Sequence, residues 1–255
     1  MIVAVSRLVV RAAALLSAAC LCLAAHATEL TVSAAASLTN AFRDLAPRFE
    51  AAHPGTKVHL NFAASGALLQ QIAKGAPVDV FASADQVTMD QAQQQNLIKA
   101  AARRDFAVNA LVLVVPIRSA KVPQAVADLT RPAYARIAIG LPASVPVGRY
   151  TQGVLQAAGL WAAVGPKMIG AHNVRQALDY VARGEVDAGF VYATDALLMP
   201  DKVRVALTVP TTTPILYPVA PVAASANADL AQKFVDFLGA PPARAVLTKY
   251  GFGQP

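Results

Sequence analysis

The stretch "SAAASLTNAF", residues 33–42, follows a short run of strand character and opens a helical pattern. It holds small residues and hydroxyls, with no acid, base or thiol. A similar junction recurs at "NFAASGALLQQ", residues 61–71. Small side chains at a strand-to-helix turn keep bulk away from the first backbone N–H groups of the helix, which have no intrahelical acceptor. Such a turn is suited to a negatively charged guest. Gly66 lets another backbone come close. In an open α/β sheet these turns lie at the carboxyl ends of parallel strands, where ligands usually bind. The two junctions therefore predict an α/β fold and a binding role together.

Working outward, strand and helix patterns alternate. "ELTVSAA" (29–35), "KVHLNF" (57–62) and "VDVFAS" (78–83) read as strands. Leu38, Phe42, Leu45 and Phe49 recur at helical spacing, and "ALLQQIAKG" (67–75) and "DQVTMDQAQQQ" (85–95) read as helices. This order predicts a mainly parallel sheet flanked by helices. A second unit begins near residue 109, with strands at 110–116, 136–142, 187–194 and 203–209 and helices at 148–159 and 174–184. A strand at 217–225 and a helix at 228–239 close the chain. The expected organisation is two lobes, residues 28–109 with 217–255 and residues 110–216, with the ligand in the cleft between them.

Residues 1–27 are set apart from the fold. Arg7 and Arg11 precede an apolar run, Ala12 to Ala25, and Ala25-His26-Ala27 is an A-x-A cleavage site. A cleavable signal peptide, and hence a periplasmic protein, is the expectation; an uncleaved anchor or a lipid on Cys20 or Cys22 are the alternatives. Both cysteines fall in this segment, so the remainder is expected to need no disulfide. The whole chain carries 22 Lys and Arg against 15 Asp and Glu; without Arg7 and Arg11 the balance is 20 against 15, a net +5. No basic run with interleaved aromatics points to nucleic acid.

The second half supplies two more helix starts of the same kind. "PASVPVGRY" (142–150) puts Val147 and Gly148 in a first turn after Pro146, and "HNVRQAL" (172–178) puts Val174 just inside a helix capped by Asn173. Four helix N-termini, each with roughly half a positive charge from its dipole, would suit a dianion. The plainer reading of Ser37 and Ser65 is as N-caps worth about 1 kcal/mol each. Tyr192, at the end of a buried-looking strand, reads either as core or as a phenol donor facing the cleft. Asp79 and Asp85 flank one strand, close enough to suggest a carboxylate site, and read more simply as a strand-end residue and a helix cap. Arg149 and Arg175 either tune the field at the turns or stand in solvent. His53, His59 and His172 are scattered. Hydrolase, P-loop and zinc motifs are lacking in the sequence.

"SAAASLTNAFRDLAPRFE", "FAASGALLQQIAKGAPVDVFASADQ", "VPVGRYTQ", "NVRQALDYVARGEVDAGFVYATDA" and "LTKYGF" together resemble the periplasmic molybdate-binding proteins of bacterial ABC transporters. The resemblance runs from about residue 29 to 252. It implies a two-lobed binding-protein fold closing on one oxyanion, molybdate or tungstate, with no catalysis and no other cofactor; molybdenum is present only as the bound anion. By residue, it implies hydroxyl and backbone donors from Ser37 and Ser65, backbone N–H groups from Val147 and Val174, and the phenol of Tyr192. The family often has Ala in place of Val147; only the backbone is used there. The implied partner is the membrane permease, and such a shuttle is expected to be monomeric. The alternatives are a binder of another oxyanion or ferric iron, and a secreted α/β serine hydrolase.

Overall fold

The computed structural model describes residues 28–255. The expected leader and both cysteines lie outside the described residues. Among the described residues ten strands form two five-stranded sheets with helices around them. In the first sheet the strands are β1 (Thr28–Ala35), β2 (Thr56–Ala63), β3 (Val80–Ala82), β4 (Arg104–Asn109) and β10 (Ile215–Pro221). Their order is β2-β1-β3-β10-β4. In the second sheet they are β5 (Leu111–Pro116), β6 (Ile137–Gly140), β7 (Met168–Ala171), β8 (Ala188–Tyr192) and β9 (Val203–Val209), in the order β7-β6-β8-β5-β9.

The two orders correspond strand for strand. β1 pairs in parallel with β2 and β3, and β6 with β7 and β8. One strand in each sheet is reversed: β10 runs antiparallel to β3 and β4, and β5 to β8 and β9. Each sheet is thus mixed, with four strands in one direction and one against them. The chain passes from the first sheet to the second through Ala110, between β4 and β5, and returns through residues 210–214.

The helices are α1 (Thr39–Ala52), α2 (Ser65–Ala73), α3 (Gln86–Gln94), α4 (Pro146–Ala157), α5 (Trp161–Val164), α6 (Val174–Ala182), α7 (Ala193–Ala196), α8 (Ala228–Leu238) and α9 (Pro241–Lys249). A 3-10 turn, Ala36–Leu38, runs directly into α1. The apolar face of α1 carries Phe42, Leu45 and Phe49 into the core, where Phe42 and Phe49 meet Phe234 of α8 edge-on at 6.0 and 5.0 Å. Each such ring, fully buried, stabilises the fold by about 1.5–3 kcal/mol through apolar burial. Leu30, Val32 and Ala34 of β1 are fully buried on one face while Ser33 and Ala35 are buried on the other, as suits a strand covered on both sides.

Several elements differ from the sequence-based expectation, the one-turn helices α5 and α7 among them; α7 begins at Ala193, inside the strand expected over 187–194. β4 and β7 lie at sheet edges; β4 (RDFAVN) opens on two charged residues and β7 (MIGA) is four residues long, so neither carries a strong period. α9 starts at Pro241-Pro242, a loop signal that also fits the first turn of a helix. β10 begins at Ile215, ahead of the expected strand at 217.

Candidate functional site

β1, β2, β6 and β7 each run into a helical segment, and the starts of those segments meet in one small cavity between the sheets. Its cavity volume is about 10 Å³, about one water-sized sphere and far below the roughly 300–1,000 Å³ of pockets for drug-sized ligands. Ser37, Ser65, Val147, Val174 and Tyr192 all line it. Ala35, Ala36, Ala64 and Ala84 supply much of the remaining wall. No Lys, Arg, Asp or Glu is in that wall. Larger hollows open beside Pro116 and Met199 and beside Pro77 and Asn227, and neither gathers helix starts.

Neither serine caps its helix through its side chain. Ala35 and Ala64 occupy the cap positions, without side-chain bonds. Ser65 is the first residue of α2, and its Oγ accepts the N–H of Ala84 at 3.0 Å. Ser37 Oγ lies 2.9 Å from the hydroxyl of Tyr217. Val147 follows Pro146 in the first turn of α4, and Val174 opens α6, so their N–H groups are among those a helix leaves without an internal acceptor. Asn173 caps α6 by accepting from Gln176 N–H at 3.0 Å, and Val174 lines the cavity beside it. Tyr192 is 1% exposed, and its hydroxyl makes only a long 3.4 Å bond to the carbonyl of Ala84. Burial raises its pKa, so the phenol stays protonated and can donate.

Two close backbone approaches build this geometry. The Gly66 N–H donates to the Ser144 carbonyl at 3.0 Å, joining the first sheet's α2 to the loop before α4. A Cβ on Gly66 would sit 2.6 Å from that oxygen. A Cβ on Gly148 would lie 1.9 Å from the Gly140 carbonyl, so glycine lets α4 start against the end of β6.

Both flanking arginines, left open between field and solvent on sequence grounds, are engaged elsewhere. Arg149 of α4 donates to Asp85 through Nε at 2.8 Å, with Nη2 2.7 Å from the same oxygen. It also donates to Thr88 Oγ1 at 2.6 Å and the Pro142 carbonyl at 3.1 Å. Arg175 of α6 donates to Asn40 Oδ1 at 2.8 Å and to the Ser37 carbonyl at 3.1 Å. Its Nε stands 2.5 Å from Asp195 Oδ1, close but not aligned as a hydrogen bond. Asp195 is fully buried, and burial raises its pKa to about 6 despite the guanidinium beside it.

The other acids are structural. Asp85 caps α3 through Thr88 N–H at 3.2 Å. Asp79 accepts from Thr31 N–H at 2.7 Å and Ser225 Oγ at 2.6 Å. Neither serine hydroxyl meets a histidine among the described residues. His53 bonds the Phe49 carbonyl at 3.0 Å, and His59 stands 3.6 Å from Glu29. No cluster of three or more metal-ligating side chains occurs among the described residues.

Sequence reasoning missed Tyr217 and Asn109. Asn109 Nδ2 donates to Tyr217 Oη at 3.2 Å and to Thr194 Oγ1 at 2.8 Å, and its Oδ1 accepts from Ala110 N–H at 2.9 Å. Nothing local marked either residue, since Tyr217 reaches Ser37 across 180 positions of chain.

Comparison with known proteins agrees with this architecture. Residues 30–253 match the family described as bacterial extracellular solute-binding protein. A relative from Escherichia coli K12, named a molybdate-binding protein, ModA, is 39% identical over 230 residues, covering 88% of each chain. A solved structure from Clostridium difficile, the substrate-binding domain of a putative molybdenum ABC transporter, is 34% identical with a TM-score of 0.68, covering 89% of this chain and 99% of that one. The periplasmic molybdate-binding protein of Azotobacter vinelandii superposes with a TM-score of 0.78 at 25% identity, covering 89% and 99%. With the family match spanning nearly all the described residues, this chain belongs to the bacterial extracellular solute-binding proteins.

Proposed function

We propose that this protein captures molybdate, and tungstate equally, in the cavity between the sheets and delivers it to the membrane permease of an ABC importer. The observation that carries the reading is the wall itself: helix starts, two serines and one neutral phenol, with both nearby arginines bound to other partners. Molybdate is fully deprotonated at neutral pH and needs donors alone. Charge-assisted hydrogen bonds of about 2.7–2.9 Å from such a shell hold it without a formal positive charge. Sulfate carries the same charge on shorter bonds to oxygen, so a cage sized for molybdate leaves its contacts stretched. Hydrogen phosphate brings a proton for which the wall offers poor acceptors.

In this reading Ser37, Ser65, Val147, Val174 and Tyr192 are the ligand residues. Residues 28–109 with 217–255 form one lobe and 110–216 the other, and the anion is buried when they close. The bonds from Gly66 to Ser144 and from Arg149 to Asp85 belong to that closed arrangement. Residues 1–27 act as a cleavable leader to the periplasm, where the protein works as a monomer without catalysis. The serine partners, a tyrosine and a backbone amide, do not favour a hydrolase. Burial keeps Tyr192 and Tyr217 as neutral phenols, which does not favour ferric iron.

Calorimetric titration of the chain freed of anions tests the reading. Molybdate and tungstate should bind with comparable affinity, sulfate at least a hundredfold more weakly, and phosphate not measurably. Equal affinity for sulfate and molybdate would remove the size argument.

A further inference from the structure

The hydroxyl of Tyr217 sits behind Ser37, fully buried, 2.9 Å from Ser37 Oγ. Which oxygen donates is decided one residue further back. Ala110 N–H donates to one end of the Asn109 side chain, so that end is the carbonyl oxygen and the other is the NH₂. The NH₂ therefore points at Tyr217 Oη, 3.2 Å away, and can only donate to it. Burial keeps Tyr217 protonated, so the phenol has one hydrogen to place. Among the described residues Ser37 Oγ is the one acceptor within reach of that hydrogen. A buried hydroxyl hydrogen left without an acceptor is destabilising. Tyr217 thus donates to Ser37, and the hydrogen of Ser37 is left to point into the cavity.

Ser65 is fixed in the same sense by a backbone group, since its Oγ accepts from Ala84 N–H at 3.0 Å. Both serines then present their hydrogens to the guest, with an Oγ lone pair of each already occupied.

We propose that Tyr217, oriented by Asn109, is a specificity-determining residue that locks the Ser37 hydroxyl as a donor and so rejects oxyanions that carry a proton. It acts through Ser37 and does not touch the guest. The inference rests on the anion-binding reading above, and its test separates the two.

The probes are selenate and hydrogen arsenate at mildly alkaline pH. Both are tetrahedral dianions of similar size, and they differ by one proton. Their relative affinity is read by displacement of bound molybdate from the wild-type chain, Tyr217→Phe and Asn109→Asp. In Tyr217→Phe the Ser37 hydroxyl is free to rotate and can turn a lone pair toward the arsenate proton. In Asn109→Asp the introduced carboxylate takes the Tyr217 hydrogen, Ser37 turns to donate to Tyr217, and its oxygen again faces the guest as an acceptor. The added charge acts alike on both dianions and cancels in the ratio. The preference for selenate over hydrogen arsenate should narrow at least tenfold in whichever variant folds, with molybdate itself weakened severalfold. A ratio that narrows by less overturns the proposal, even where molybdate binding falls, because packing alone would weaken both probes together. Failure of the wild-type chain to bind molybdate would instead sink the function reading.

Discussion

The two arginines beside the cavity sit at matching places, each in the first turn of a helix of the second lobe, yet they are used differently. Arg149 places its charge on Asp85, which belongs to the first lobe, so its ion pair spans the cleft. Arg175 pairs with Asp195 of its own lobe and reaches the first lobe only through neutral acceptors, Asn40 Oδ1 and the Ser37 carbonyl. Opening the cleft would separate charges at Arg149 but leave the pair at Arg175 intact. The first is therefore expected to weigh on closure and the second on folding. In both cases the positive charge is paired with a carboxylate and the arginine is not in the cavity wall. In the proposed binding mode, selectivity is then left to the shape and hydrogen placement of uncharged donors.

The largest expected effect tests the folding half of that contrast. Arg175→Ala removes the counter-charge of a fully buried carboxylate and should lower unfolding free energy by about 3–5 kcal/mol at pH 7, read by urea denaturation. The folded pKa of Asp195, about 6, lies above its ordinary 3.8. Its contribution to stability is full below 3.8 and is lost as pH rises through 6. The penalty for Arg175→Ala should accordingly shrink at pH 5, where Asp195 takes up a proton. An equal penalty at both pH values would mean that the pair matters for its packing and not for its charge.

Gly66→Ala sharpens the closure half. Its Cβ would meet the Ser144 carbonyl at 2.6 Å, a clash that the proposed opening of the lobes would relieve. Molybdate affinity should fall at least tenfold, about 1.4 kcal/mol, while the melting temperature without ligand stays near the wild-type value. A large drop in melting temperature would show that the contact supports the fold itself.

The smallest effect is expected from Arg149→Ala, because the carboxylate it leaves behind keeps the Thr88 N–H as a donor, whereas Asp195 has no other donor among the described residues. Affinity should fall about threefold to tenfold, and the variant should show a weaker salt dependence of binding than the wild type. An Arg149→Ala loss of stability equal to that of Arg175→Ala would erase the distinction between the two.

How much of this was legible in the sequence depended on distance along the chain. The alternating patterns from Thr28 to Gln94 and the helix over residues 174–182 were readable because their apolar spacing is local. The five residues now found around the cavity stood out because each sits at a strand-to-helix junction or a strand end with small neighbours. The serines do not act as caps: alanines take the cap positions and the serine oxygens turn to Tyr217 and to Ala84. The partners of Arg149 and Arg175 could not be read, since Asp85 and Asn40 lie 64 and 135 positions away. Tyr217 and Asn109 were invisible for the same reason, as each gains meaning only when β4, β10 and the turn after β1 are side by side.

Asn109 is the last residue of β4, one step before the chain leaves the first sheet for the second. On the proposed reading, the amide that orients the Ser37 hydroxyl is thus mounted beside one of the two backbone joints that a rocking of the halves would twist. Bending there would loosen its grip on Thr194 and Tyr217 together, and the serine would be free to spin. An empty, gaping molecule would then lose its discrimination along with its enclosure, recovering both in the same movement.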